Sequence, residues 1–115
     1  MKQVKPTIYD QFNQVFQGKQ GQIFSPAEIK HEISSRFGTN KSSIIPADFC
    51  YNRINNGITF QKHIFEYRKR GMYKYLGEHY PYTGKITHRP KKQHERVVGE
   101  WDNGKILLYG DKGDL

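Results

Sequence analysis

The amino-acid sequence predicts an α+β fold in which three helices share a core with a β-hairpin, followed by an extended C-terminal segment ending in a second hairpin. Three observations lead there. Apolar residues recur at helical spacing in three separate stretches before residue 56. The stretch ITFQKHIFEYRKRGMYKYLGE has the aromatic and β-branched composition of strands around a charged turn. Near the C-terminus, Asp-Asn-Gly separates two apolar runs.

The first helix is expected over about residues 6–17, where Ile8, Phe12, Val15 and Phe16 form one stripe between Pro6 and Gly18. GQIF is long enough only for a short strand. The second helix, about 26–37, carries the clearest local signal. Ser25 can cap it, Pro26 suits its first position, Glu28 completes a capping box, and Gly38 can close it in the left-handed conformation. A turn, TNKSS, leads to a third helix expected over about 46–55. Pro46 opens it, and Ala47, Cys50, Tyr51 and Ile54 form its inner face. A hairpin follows, residues 62–68 with 72–77, tipped by Arg68, Lys69 and Arg70. Helix, short strand, helix, turn, helix and basic hairpin is the order of a winged helix-turn-helix. The expected organisation is a winged-helix domain over 1–80 and a C-terminal extension over 81–115, whose hairpin packs on the same domain.

Charge narrows the functional classes. The net charge is +8, and residues 41–96 hold twelve basic residues against four acidic ones, while residues 97–115 hold two against four. A concentrated positive field suits a polyanion. Asn52, Arg53, Asn55 and Asn56, on the outer face of the third helix, have the chemistry to read base edges in the major groove. Lys41, Ser42 and Ser43 before that helix, with Arg68, Lys69, Arg70 and Lys74 on the hairpin, suit phosphate contacts. Lys85, Arg89, Lys91, Lys92 and Arg96 form a basic arm or a solvated linker.

Other chemistry finds little support. His88 and His94 lack metal-ligand spacing, and Cys50, the lone cysteine, falls on a predicted inner face. No catalytic residue, metal or cofactor is expected. No stretch approaches the roughly 20 apolar residues of a membrane span, and nothing at the N-terminus reads as a signal peptide, so a cytoplasmic location is expected.

Ile45, Pro46, Asp48, Phe49, Cys50, Tyr51, Asn52 and Arg53, followed by Tyr75-Leu76-Gly77, Tyr80-Pro81-Tyr82 and Gly84, form a pattern spanning about residues 25–90. It resembles a small bacterial winged-helix domain of unknown function, found alone or fused to restriction-type or HNH nucleases. The resemblance implies DNA recognition near a defence or mobile-element system, with any cleavage supplied by a partner chain.

The leading expectation is therefore a non-enzymatic double-stranded-DNA-binding protein, a phage or mobile-element regulator, in which the final hairpin could serve a homodimer. The alternative is a protein-interaction or inhibitor module acting on a host or phage enzyme through YPYTG and GEWDNGKILLYG, because exposed Tyr and Trp anchor many interfaces.

Overall fold

The computed structural model describes residues 6–55, 60–89 and 94–109. Two α-helices, several single 3-10 turns and seven strands in two sheets make up that part of the chain. Helix α1 (Ile8–Phe16) begins after Thr7, whose hydroxyl accepts the Asp10 N–H, and it buries Phe12, Val15 and Phe16. Helix α2 (Pro26–Phe37) has the predicted bounds. Ser25 and Glu28 close a reciprocal capping box, and Gly38 at φ 70° ends it.

The helices pack on a three-stranded antiparallel sheet of β1 (Ile23–Phe24), β3 (Phe65–Arg68) and β4 (Met72–Tyr75), in the order β1-β4-β3. Successive side chains of a strand point to opposite faces, so Phe65, Tyr73 and Tyr75 enter one core with the helices. Phe12 meets Phe65 edge-to-face at 5.4 Å, and Phe16 lies 5.6 Å from Tyr75. Gln11, buried in this layer, is satisfied: it donates to the Pro6 carbonyl and accepts from the Thr39 hydroxyl.

The second sheet runs β2-β5-β6-β7, from β2 (Arg53–Ile54), β5 (Gly84–His88), β6 (Arg96–Asp102) and β7 (Lys105–Leu108). β2 pairs parallel with β5, and the other pairs are antiparallel. The C-terminal hairpin that Asp-Asn-Gly predicts is present, and of the two-, three- or four-residue turns open to it, Asn103 (φ 49°) and Gly104 (φ 85°) make a two-residue one, with Asp102 opposite Lys105. Gly99 lets β7 approach, since a Cβ there would lie 2.7 Å from the Leu107 carbonyl oxygen. Tyr51, Leu76, Tyr82, Ile86 and Trp101 form a second core.

The winged helix-turn-helix expectation is overturned. No third α-helix covers 46–55. Pro46–Phe49 is a single 3-10 turn, and Cys50 is extended, at φ −97° and ψ 145°. The reason lies in two consecutive buried residues. Cys50 belongs to the first core and Tyr51 to the second, and only an extended chain sends neighbouring side chains in opposite directions. The apolar spacing that reads as a helical stripe is the trace of a chain threading between two cores. The β3–β4 hairpin is present with Lys69–Gly71 as its turn, but it forms most of a sheet under the helices and is not an appendage to a helical bundle. Among the described residues no helix is long and apolar enough to cross a membrane.

Candidate functional site

Three of the residues expected to read DNA, Asn52, Arg53 and Asn55, make side-chain contacts within the protein. Asn52 Nδ2 donates to the Tyr67 carbonyl (3.0 Å), and Asn52 Oδ1 accepts the Tyr67 N–H (2.8 Å). The amide thus serves β3 as a neighbouring strand's backbone would. The Arg53 guanidinium lies 4.3 Å from the centre of the Tyr67 ring and 3.8 Å from the Glu95 carboxylate. Asn55 donates to Asp48 (2.6 Å), and Asn56 lies outside the described residues. The structure therefore gathers Asn52 and Arg53 around Tyr67, on no helix.

The expected phosphate contacts remain at the surface. Lys41, Ser42 and Ser43 form an exposed 3-10 turn in which the Asn40 side chain accepts both the N–H and the hydroxyl of Ser42. Arg68 is bonded to Glu66 (3.0 Å), while Lys69 and Arg70 stand exposed at the turn, Arg70 at φ 62°. Lys74 lies opposite Glu66 on β4. Of the basic arm, Lys85 bonds Glu100 (3.1 Å), Arg96 begins β6, and Lys91 and Lys92 lie outside the described residues.

A different site lies at the second core. Tyr51 is its hub. Its hydroxyl donates to the Gly77 carbonyl (2.6 Å) and accepts the Tyr80 N–H (3.0 Å). Its ring stacks on Tyr82 at 5.2 Å, and its carbonyl accepts the Trp101 indole N–H at 2.7 Å. Against these rings lies His63, with Phe60 at 4.3 Å, Trp101 at 5.1 Å and Tyr51 at 5.4 Å. Its Nε2 is shielded from solvent and has no hydrogen-bond partner among the described residues.

Burial lowers the His63 pKa to about 4, so the imidazole is neutral at pH 7. In the unfolded chain it takes up a proton near pH 6.5. Its contribution to stability is therefore full above pH 6.5 and is lost as pH falls towards 4. Partial solvent contact limits the loss to about 1–2 kcal/mol. Urea midpoints should fall between pH 7 and pH 4.5, and His63→Phe should flatten that fall. A His63→Phe profile parallel to the wild type would refute the assignment.

A groove of about 850 Å³ opens beside these rings. It is bounded by α1, residues 60–63, the turn at 78–81 and the β6–β7 turn. On its α1 side the Tyr9 hydroxyl donates to Glu78 (2.7 Å). Burial, then the Glu78 carboxylate, raises the Tyr9 pKa and keeps the phenol protonated. Ile106 joins the groove to β7. That strand ends its sheet, and Ile106, Leu107, Leu108 and the following Tyr109 are 43–58% exposed. Among the described residues nothing pairs with its outer edge.

Two other features carry no chemistry. The Cys50 thiol, pushed up to about 12 by burial, is not a nucleophile at neutral pH. Among the described residues no three His, Cys, Asp or Glu side chains converge to hold a metal.

The sequence marks Tyr80, Tyr82, Trp101 and the KILLY run as interface candidates, but it gives no sign of His63 or of the groove. Residues 60–63, 78–81 and 101–106 meet only through the fold, and no local motif links them.

Comparison with known proteins gives two matches. The family model described as a domain of unknown function (DUF7225) matches residues 7–108. The uncharacterized protein YnaC of Bacillus subtilis strain 168 is 48% identical over 99 residues, which are 85% of this chain and 38% of that protein. This chain thus spans well under half the length of that relative. No solved structure matches. The matches agree with a resemblance to a domain of unknown function, while the winged-helix part of that resemblance is corrected by the two-sheet architecture.

Proposed function

We propose, from the premise that this chain belongs to the DUF7225 family, that it is a non-enzymatic protein-interaction module that adds an extended segment of a partner polypeptide to the edge of β7 left unpaired among the described residues. The observation that carries the reading is the edge itself. Natural sheets protect their edges with charge, proline or a bulge, because unpaired backbone groups template further strands. β7 has a single lysine, Lys105, followed by three large apolar residues with both faces exposed. Ile106 and Leu108 share the face of Trp101, and Leu107 shares that of Glu100. A strand laid along this edge would gain backbone hydrogen bonds and apolar contacts on both sides. A domain that is a minor part of its relative's length suits a module that works beside other segments.

The test is selection of displayed peptides on the full chain, followed by hydrogen exchange on the complex. Bound peptides should protect the amides of residues 105–109, and Leu107→Lys should weaken binding by about tenfold or more while leaving the fold intact. Protection confined to other elements would refute the edge. So would a concentration-dependent dimer that consumes it.

A second reading keeps a polyanion partner, because Arg68, Lys69 and Arg70 are consecutive and exposed. It would act through phosphates alone. Lys69→Ala with Arg70→Ala should then weaken all duplexes alike and flatten the dependence of affinity on salt. Affinity independent of salt excludes it.

A further inference from the structure

The groove beside β7 differs electrically from the rest of the molecule. The chain carries a net +8, yet among the described residues the charged groups lining this groove are the carboxylates of Asp10 and Glu78 against the ammonium of Lys62, with the exposed imidazole of His79 beside Glu78. Four aromatic rings, Tyr9, Phe60, Tyr80 and Trp101, are part of the lining. A cation already rests on one of these faces, since Lys62 Nζ lies 5.0 Å from the centre of the Tyr9 ring. Ring faces and carboxylates together attract a positive group and repel an anion. The half-buried imidazole of His63 stays neutral at pH 7 and adds no opposing charge.

We propose that this groove is a binding site for a planar cation, and that its natural occupant is an arginine side chain of the segment docked on β7. Ile106 is common to the edge strand and the groove wall, so a residue projecting from an added strand has a direct path inward. Tyr80, 41% exposed, is among the rings of the lining. A guanidinium stacks on aromatic faces and pairs with carboxylates at its edge, whereas an ammonium does only part of this. The identity of the occupant rests on the docking reading; the preference of the groove for a planar cation does not.

Benzamidine, a flat aromatic cation, is the probe, with benzoate and benzyl alcohol as its anionic and neutral counterparts. Trp101 is the chain's one tryptophan, so its indole N–H is an unambiguous reporter in a heteronuclear NMR titration. Benzamidine should shift that signal saturably, with a Kd of about millimolar for so small a ligand. Benzoate should leave it unmoved. Glu78→Gln, which keeps an acceptor for the Tyr9 hydroxyl, should weaken benzamidine about five- to tenfold while circular dichroism stays unchanged. Equal binding of benzamidine and benzyl alcohol would reduce the site to an apolar cleft and overturn the proposal, as would a Glu78→Gln variant that binds as tightly as the wild type. Absence of any shift would do the same. Benzamidine binding without peptide protection at 105–109 would leave the groove standing and remove the docked strand.

Discussion

Replacing Asn52 with alanine should destabilise the protein by about 2–3 kcal/mol, although the change deletes only a small polar side chain. The amide completes two backbone groups of Tyr67, donating to its carbonyl at 3.0 Å and accepting from its N–H at 2.8 Å. Alanine leaves both groups partly buried and without those partners, so the cost is desolvation on two atoms and not one net hydrogen bond. The Arg53 guanidinium rests on the same Tyr67 ring, so loosening β3 here also disturbs that contact. Asn55→Ala, which frees only Asp48, should cost less. Denaturant unfolding of the two variants separates the cases. If Asn52 were displayed to a nucleic acid, Asn52→Ala would unfold with the wild type and differ only in binding. A midpoint equal to that of the wild type would therefore refute the structural role.

That contrast shows what the sequence could and could not disclose. The capping box at Ser25 and Glu28, the closing Gly38 and the Asn103-Gly104 turn are legible because their physics is local: a side chain and a backbone group a few residues apart decide the outcome. Residues 46–55 are not legible in that way. Cys50 and Tyr51 are buried for reasons that lie 15 to 50 residues away, at Phe65 and Trp101, and no local pattern records which side each must face. The same limit applies to Asn52, since an amide acting as substitute backbone looks identical in a sequence to one on a surface. Tyr80, Trp101 and the apolar KILLY run stood out by composition alone. The groove they border did not, because its carboxylates come from α1 and from the turn after β4.

Phe65→Ala should have the largest effect of any single change considered, about 3–5 kcal/mol, out of a total stability of roughly 5–15 kcal/mol for a domain. Phe65 has no exposed surface, and its ring meets Phe12, Phe16, Tyr73 and Tyr75 within 6.2 Å. Removing it opens a cavity between the helices and the first sheet, and Tm should fall by about 10 °C or more. Phe65→Leu, which keeps most of the volume, should cost about 1–2 kcal/mol. The more telling result is how the loss is shared. Both α-helices pack on the first core, so far-UV circular dichroism reports on it, while Trp101 sits in the second core and reports by fluorescence. The two cores are joined by the backbone between Cys50 and Tyr51, and the Tyr51 N–H donates to the Phe65 carbonyl at 2.8 Å. A chain stitched in this way cannot release one core without dragging Tyr51 out of the other. Both probes should therefore shift by the same amount in Phe65→Ala. A Trp101 transition left at the wild-type temperature while ellipticity collapses would mean that the second sheet folds alone, and β7 with its groove could then be studied as an independent unit.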